Sequence, residues 1–357
     1  MNLDDVDRLA AADPGGMLRQ VADLPRQLAQ AGALAAPARK ALAALPGRGR
    51  WTELLVCGMG GSAIGGDYAA AWAAPQGARV VVHRGYGVPP WARATALFVF
   101  SSYSGDTEET LAAFSAAPRD AARLCLTTGG ELARLAAAEG VPVLPLPGGL
   151  QPRSALGHSL VALLWVLHAA GLLQESPAVA LEAAARQLQA LAPTFAPEKP
   201  EADNRAKQLA RACAGHLVWI VSGQGLLEPA ARRFKAQLHE NAKTLAFASV
   251  VPEMNHNEIM AAPLPEAICS RTRLVCLADP EDPEPVRRRL RLTAELLSPH
   301  LAGAEWLESS GPERLGRLLG VTLLVDYTSL YTAFLHSVDP LPVQRIEQLK
   351  ERLRRAP

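Results

Sequence analysis

The chain has 357 residues, with 36 basic and 35 acidic side chains and a formal net charge of +1 at pH 7. This length predicts about two domains, and a hydrophobic content of 49% supports sizeable cores. A nucleic-acid-binding protein normally has a basic surplus, so the charge argues against a nucleic-acid partner. No uncharged apolar run approaches membrane-spanning length, which argues against a membrane partner. The five cysteines form no Cys-x-x-Cys pair, and we expect buried thiols in a cytoplasmic protein.

The first half of the chain alternates strand-like and helix-like segments. Apolar residues recur at helical spacing up to residue 46 and predict N-terminal amphipathic helices over 1–46. The alternation that follows predicts a doubly wound parallel sheet, with a long apolar helix at 159–173 and domain bounds of 47–192. The predicted strands are 54–57, 80–82, 97–101, 124–127 and 141–146, and the predicted helices between them are 64–72, 106–116 and 131–138.

The second half repeats this pattern after a proline-rich stretch. Pro193, Pro197 and Pro200 predict a linker. Beyond it, strands are predicted at 217–221, 245–250, 274–278 and 304–307, and helices at 226–242, 284–297 and 312–336. We therefore predict an α/β protein with two doubly wound, flavodoxin-like parallel-sheet domains, the second spanning 193–357 with C-terminal helices.

Two glycine-containing loops each follow a predicted strand and lead into a predicted helix. The first is Gly58-Met59-Gly60-Gly61-Ser62, and the second is Ser102-Tyr103-Ser104-Gly105-Asp106-Thr107. Glycine lets the backbone approach a ligand closely, and the amides at a helix N-terminus favour an anion. The hydroxyls of the second loop add donors without a charge that would have to be desolvated. At neighbouring strand ends of a parallel sheet, we expect the two loops to converge on one phosphate.

The first loop also fits a relaxed dinucleotide-binding fingerprint, because Gly58, Gly60 and Ala63 have the required spacing. That fingerprint expects an acidic residue at the end of the second strand, where this chain has His83 and Arg84. An NADP-binding protein tolerates an arginine at this place, so an NADP-dependent oxidoreductase stays open as an alternative. The hydroxyl-rich second loop favours a sugar phosphate.

Three further side chains carry acid–base or cationic chemistry. Glu240 lies late in a predicted helix, where a solvated carboxylate is the usual interpretation. His256 lies in a polar loop between two asparagines and near an acid, which could fix its tautomer. Arg153 precedes the long apolar helix, where an anionic ligand or an internal carboxylate would satisfy it equally well. The histidines show no metal-ligand spacing, so we expect no metal.

The two loops, together with the segments 152–157, 239–243 and 252–258, resemble the bifunctional phosphoglucose/phosphomannose isomerases, a branch of the sugar-isomerase (SIS) superfamily. The resemblance spans roughly residues 50–350 in the same order along the chain. It implies two SIS domains, a hexose-phosphate substrate and no cofactor. It also implies a homodimer with a shared active site, in which the histidine comes from the partner chain.

Position by position, the resemblance implies an aldose–ketose isomerase that forms a cis-enediol. Glu240 would be the base at C1 and C2, Arg153 would stabilise the enediolate, and His256 would assist ring opening. For the dimer interface we expect the apolar helices 159–173 and 320–335. The implied substrate-binding residues are Gly60, Gly61 and Ser62 on the sugar side, and Ser102, Ser104 and Thr107 around the phosphate.

Two positions near the C-terminus depart from the family pattern. Leu341 stands where the resemblance leads us to expect a threonine that handles both C2 epimers. Gln348 stands where a ring-opening lysine is expected, with Lys350 close by. We therefore expect phosphomannose activity below phosphoglucose activity. The same departures leave a non-catalytic phosphosugar-binding SIS protein open as an alternative.

Overall fold

The computed structural model describes residues 1–92 and 95–355. Its strands are β1 (Glu53–Gly58), β2 (Val80–His83), β3 (Ala96–Ser101), β4 (Ala122–Thr127), β5 (Val143–Pro145), β6 (Leu217–Gly223), β7 (Ala246–Val251), β8 (Thr272–Ala278) and β9 (Ala304–Glu308). They form one sheet in the order β2-β1-β3-β4-β5 and a second in the order β7-β6-β8-β9, and all neighbouring strands are parallel. The structure confirms the predicted fold class of two parallel-sheet α/β domains.

Helices connect the strands and also precede and follow the sheets. The α-helices are α1 (Val6–Ala12), α2 (Met17–Ala22), α3 (Leu24–Ala29), α4 (Ala35–Ala43), α5 (Gly60–Ala73), α6 (Glu108–Ala116), α7 (Gly130–Ala138), α8 (Leu156–Ala169), α9 (Ala178–Phe195), α10 (Arg205–Cys213), α11 (Glu228–Glu240), α12 (Glu266–Cys269), α13 (Glu284–Leu297), α14 (Arg314–Leu335) and α15 (Gln344–Arg355).

The central strands of the first sheet are covered on both faces. All six residues of each of β1, β3 and β4 are buried. Alternate side chains of a strand point to opposite faces, so Leu54 and Val56 join the main core while Leu55 and Cys57 pack with Phe114 of α6. This double burial explains why these strands read as continuous apolar runs in the sequence.

Helix α14 is the central helix of the molecule and packs against α9, α10 and α11. By length and composition it is apolar enough to span a membrane, which the sequence analysis did not predict, but 89% of that apolar window is buried inside the structure. Its Arg317 and Asp326 are buried and form ion pairs with Asp279 and Arg233. These features are those of a core helix.

Two expectations from the sequence are wrong. The helices predicted for a dimer interface, 159–173 and 320–335, correspond largely to α8 and α14, which are buried in the core of this chain. The linker predicted from Pro193 begins too early, because Pro193 lies in the last turn of α9. The buried side chain of Phe195 keeps that turn packed beyond the proline. The domain bounds at 47 and 193 stay predictions.

Candidate active site

The two glycine-containing loops lie side by side at the carboxyl ends of β1 and β3. Gly58 and Ser101 are directly opposite in the parallel register of these strands. The amide of Tyr103 donates to Ser62 Oγ at 2.9 Å, which joins the second loop to the first. The Ser101 hydroxyl donates to the carbonyl of Ser62 at 3.3 Å. The sheet therefore places the start of α5 beside the hydroxyl-rich loop.

Glycine is required in the first loop by conformation and by space. Gly60 has a φ of +49°, a left-handed value that residues with a Cβ rarely adopt. At Gly61, a Cβ would lie 2.7 Å from the carbonyl oxygen of Pro152. That carbonyl belongs to the 3₁₀ turn Pro152–Ser154, which carries Arg153. The close approach at Gly61 therefore brings the first loop against the turn that bears Arg153.

The second loop presents hydroxyls and turns its carboxylate away. Ser102 Oγ and Thr107 Oγ1 share a hydrogen bond of 2.9 Å, and Ser102 Oγ also accepts from the amide of Gly105. Ser104 is exposed, and its Oγ accepts from the amide of Asp106. The carboxylate of Asp106 accepts from the amide of Glu131 at the start of α7. Ser104 therefore has a hydroxyl proton free for a ligand, whereas buried Ser102 also holds the loop together.

Arg153 is buried at the junction of three chain segments. Its Nε donates to Asn241 Oδ1 at 2.8 Å, just after α11. Its Nη2 donates to the carbonyls of Pro340 and Leu341, both at 2.9 Å. Within the described residues, Nη1 makes no hydrogen bond, and it lies 3.6 Å from Glu240 Oε2. Nη1 is therefore the nitrogen of this guanidinium that is left for a substrate oxygen.

Glu240 is the last residue of α11 and reaches solvent with 29% of its side chain exposed. Arg153 is only 5% exposed, and its burial lowers the pKa of the guanidinium, while the charge of Glu240 opposes that change. The sequence left an internal carboxylate and a ligand as equal partners for Arg153. In the structure, the partner of Arg153 is the carboxylate of Glu240, which also remains accessible to solvent. A general base must be accessible in this way to reach the proton that it removes.

The sequence analysis missed the buried groups that hold Arg153 in place. Arg233 Nη2 donates to the carbonyl of Arg153 at 2.7 Å and to Asp326 Oδ2 at 2.7 Å. Asn241 Nδ2 donates to Ser329 Oγ at 2.9 Å, which anchors the amide that bonds Arg153. The available signal was the aspartate in the apolar helix α14, because its charge requires a partner when it is buried. The arginine lies in the polar helix α11 and gave no such signal.

Leu341 and Gln348 differ in their surroundings. The side chain of Leu341 packs over Gly15, where a Cβ would lie 2.7 Å from Leu341 Cδ2. The side chain expected to select the C2 epimer thus contacts the N-terminal segment. The backbone carbonyl of Leu341 accepts from Arg153. Gln348 and Lys350 lie on α15, where every described residue is at least partly exposed.

His256 is not brought to Arg153 and Glu240 within one chain. It is exposed at the end of the 3₁₀ turn Glu253–His256, after edge strand β7, and the described residues show no hydrogen bond or ion pair from it. The neighbours expected to fix its tautomer bond elsewhere. Asn255 Nδ2 donates to Thr293, Asn257 Oδ1 accepts from the amide of Glu258, and the Glu258 carboxylate accepts from Ser249.

The corresponding end of the second sheet holds a carboxylate of the chain itself. A Cβ at Gly223, the end of β6, would lie 3.1 Å from Asp282 Oδ2. The same oxygen accepts from the amide of Asp279 at 3.1 Å, and burial raises the pKa of the Asp282 carboxyl. An internal anion thus occupies the second sheet where the first sheet offers hydroxyls. The candidate phosphate cradle therefore lies at the first sheet.

The dinucleotide alternative loses its main support in the structure. Arg84, the residue that kept an NADP-binding protein open, forms an ion pair with Asp67 of α5. An arginine already paired with a carboxylate is a poor partner for a 2′-phosphate.

Comparisons with known proteins match most of this chain to sugar-phosphate isomerases. The family described as bacterial phospho-glucose isomerase C-terminal SIS domain matches residues 202–353. The bifunctional phosphoglucose/phosphomannose isomerase of Caldicellulosiruptor bescii is 37% identical over 303 residues, which covers 84% of this chain and 89% of that protein. The protein of the same name from Aquifex aeolicus is 33% identical over 307 residues, covering 85% of this chain and 90% of that protein.

A solved structure shows the same fold over almost the full length. A hypothetical protein from Thermus thermophilus superimposes with a TM-score of 0.73 at 18% identity, covering 99% of this chain and 95% of that protein. The chain belongs to the family of bifunctional phosphoglucose/phosphomannose isomerases.

Proposed function

We propose that this protein interconverts glucose 6-phosphate and mannose 6-phosphate with fructose 6-phosphate, without a metal or cofactor. The observation that carries the proposal is the Arg153–Glu240 pair. One nitrogen of a buried guanidinium makes no hydrogen bond to any described residue, and it lies 3.6 Å from an accessible carboxylate. The turn that holds Arg153 touches the glycine loop beside the hydroxyls of Ser102, Ser104 and Thr107. A cation, a base and a phosphate cradle are the groups that this isomerisation requires.

The chemistry assigns one role to each group. Ser104 and Thr107, with the amides at the start of α6, bind the phosphate, while Gly60, Gly61 and Ser62 line the sugar side. The Glu240 carboxylate removes the proton from C2 of the open-chain aldose, and the electron pair forms the C1–C2 double bond of a cis-enediol. Arg153 Nη1 stabilises the oxygens at C1 and C2 as they gain charge. Glu240 then returns the proton to C1 while the hydroxyl proton on O2 is transferred to O1, so that C2 becomes the carbonyl carbon of the ketose.

We further propose a homodimer in which His256 completes the site of the partner and assists ring opening. The support is its position on an exposed loop after the edge strand β7. Large apolar side chains are exposed close to it in sequence, which a monomer would leave in water. These are Phe247, Met260, Leu264 and Ile268, with exposed fractions of 50%, 81%, 76% and 54%. The buried, unpaired state of the cysteines within the described residues supports a cytoplasmic location.

Proton NMR on the purified full chain tests the reaction. Starting from fructose 6-phosphate with a chelator present, we expect both aldose phosphates to form. In D₂O, deuterium should enter at C2, because proton transfer through an enediol exchanges with solvent. Complete transfer of the substrate hydrogen between C1 and C2, without any uptake of deuterium, would favour a hydride shift over the enediol. Binding without turnover would indicate the non-catalytic phosphosugar protein, and turnover only with added nicotinamide would indicate the oxidoreductase.

A further inference from the structure

Lys243 follows α11 in a backbone conformation that glycine normally supplies. Its φ is +52°, and the amide of the next residue, Thr244, donates to the carbonyl of Leu238 at 3.0 Å, which closes the end of the helix. A left-handed residue at this place in a helix terminus is usually glycine, because a Cβ is crowded there. A lysine in this conformation destabilises the backbone. We therefore expect contacts of its side chain to compensate for that strain.

The ammonium group of Lys243 ties two chain segments together. Nζ donates to the carbonyl of Glu240 at 2.8 Å and to the carbonyl of Asp339 at 2.9 Å. It also contacts the carbonyls of Asn241 at 3.3 Å and Pro340 at 3.4 Å. The carbonyls of Glu240 and Asn241 lie at the C-terminal end of α11, where the helix dipole favours a cation. The carbonyls of Asp339 and Pro340 belong to the segment 339–341, which we call the C-terminal arm.

The C-terminal arm is the same segment that binds Arg153. Arg153 Nη2 donates to the carbonyls of Pro340 and Leu341. The carbonyl of Pro340 therefore accepts from both Arg153 and Lys243. The arm therefore fixes the orientation of the guanidinium, and Lys243 fixes the arm against the end of α11. Burial lowers the pKa of Lys243, and the neighbouring Arg153 lowers it further, whereas Asp339 and Glu240 counteract both.

We propose that Lys243 is a positioning residue of the isomerase. By holding the C-terminal arm on the end of α11, it keeps Arg153 Nη1 directed at the space beside the Glu240 carboxylate. Within the described residues, its ammonium makes no hydrogen bond to the hydroxyls of the phosphate cradle. This role rests on the isomerase function proposed above, since it acts on the transition state through Arg153. A small misplacement of such a group lowers the rate of the chemical step more than it weakens substrate binding.

Kinetics of three variants test the proposal. Lys243→Met should lower kcat about tenfold and change KM for fructose 6-phosphate by less than about threefold, because misplacement acts mainly on the chemical step. Lys243→Arg keeps a cationic donor and should recover most of the rate. Lys243→Gly removes both the backbone strain and the ammonium, so it should unfold no earlier than the wild type yet turn over as slowly as Lys243→Met. Lys199→Met, a substitution of a partly exposed lysine elsewhere, is the control.

Three kinetic results would overturn the proposal: full activity of Lys243→Gly, equal impairment of Lys243→Arg and Lys243→Met, or a rise in KM without a fall in kcat. A double-mutant cycle adds a sharper criterion. In an Arg153→Lys background the guanidinium fork is absent, so Lys243→Met should cause little further loss of kcat. A full additional tenfold loss would show that Lys243 acts independently of Arg153.

Hydrogen exchange tests the contact without any substrate. Peptides that contain residues 339–344 should exchange their amides faster in Lys243→Met than in the wild type or Lys199→Met. Unchanged exchange would refute the tie between Lys243 and the C-terminal arm. If the wild type showed no isomerase activity but exchange rose as expected, the tie would stand and the proposed function would fail, so the two failures are distinguishable.

Discussion

Replacing Glu240 by glutamine separates catalysis from folding. The substitution keeps the shape of the side chain and removes its basicity. A positioned base is worth about 10²–10⁴ in rate, so kcat should fall roughly a hundredfold or more. The barrier to the chemical step would then rise by about 3–5 kcal/mol. Binding of the hexose phosphate should persist, because the phosphate cradle is unchanged.

The effect of the same substitution on stability should be small. Opposite charges 3.6 Å apart, as in Arg153 and Glu240, attract by about 5 kcal/mol at an effective dielectric of about 20. Desolvation of the buried guanidinium offsets most of this attraction, and Glu240 is partly exposed. The net loss should be about 1 kcal/mol, since partly exposed pairs contribute little. In a chain of this size that corresponds to about 2 °C in Tm.

The assay couples formation of glucose 6-phosphate to reduction of NADP⁺ by glucose-6-phosphate dehydrogenase, with thermal unfolding measured on the same preparations. Glu228→Gln is the matched control, because Glu228 lies on the same helix in an exposed pair with Arg232. We expect the control to keep wild-type turnover. Near-normal turnover of Glu240→Gln would reassign the base. A large drop in its Tm would show that Glu240 serves mainly to neutralise Arg153.

Three more substitutions test the cradle, the dimer and the C-terminal arm. Ser104→Ala should raise KM about tenfold or more with little change in kcat, since a hydrogen bond to a charged oxygen is worth about 1.5–3 kcal/mol; an unchanged KM would remove Ser104 from the phosphate site. An equal mixture of Glu240→Gln and His256→Ala protomers should regain about one quarter of wild-type activity, because half the dimers are hybrids with one intact site each. No recovery after verified subunit exchange would place both residues in one chain. Leu341→Thr should lower the free energy of unfolding by about 1–3 kcal/mol through lost packing on Gly15 and should not raise phosphomannose turnover; a gain in that turnover would show that this side chain faces the sugar.

Much of the fold was predictable because the chain repeats a simple pattern. Buried parallel strands require continuous apolar runs, and the runs at 54–57, 97–101 and 124–127 lie inside β1, β3 and β4. The helices α9 and α10 were not predicted, since alanine, polar residues and proline obscure their periodicity. Their apolar faces are narrow and are defined by packing against α14, which the sequence does not display.

The candidate site was predictable only where its functional residues lie close together in the sequence. The glycine and hydroxyl loops act within a few residues of a strand end, so spacing reveals them. The environment of Arg153 is formed by residues 88 and 187 positions away, at Asn241 and Pro340. The packing of Leu341 on Gly15 was unpredictable for the same reason, because Gly15 lies near the other end of the chain. The expected effect of Leu341 on the C2 epimer stays a prediction.

Glu240, the proposed base, and the cation Arg153 lie at a junction of chain segments. An arginine next to a carboxylate frequently forms a close bidentate pair through two of its nitrogens. Here Arg153 is turned by Asn241 and by the carbonyls of the C-terminal arm, which take Nε and Nη2 and leave Nη1 at 3.6 Å from Glu240. The Glu240 carboxylate therefore has no bidentate arginine partner, and its oxygens remain accessible to a substrate. Since each of these restraints comes from a different part of the chain, the reactivity of Glu240 depends on the folded positions of all of them.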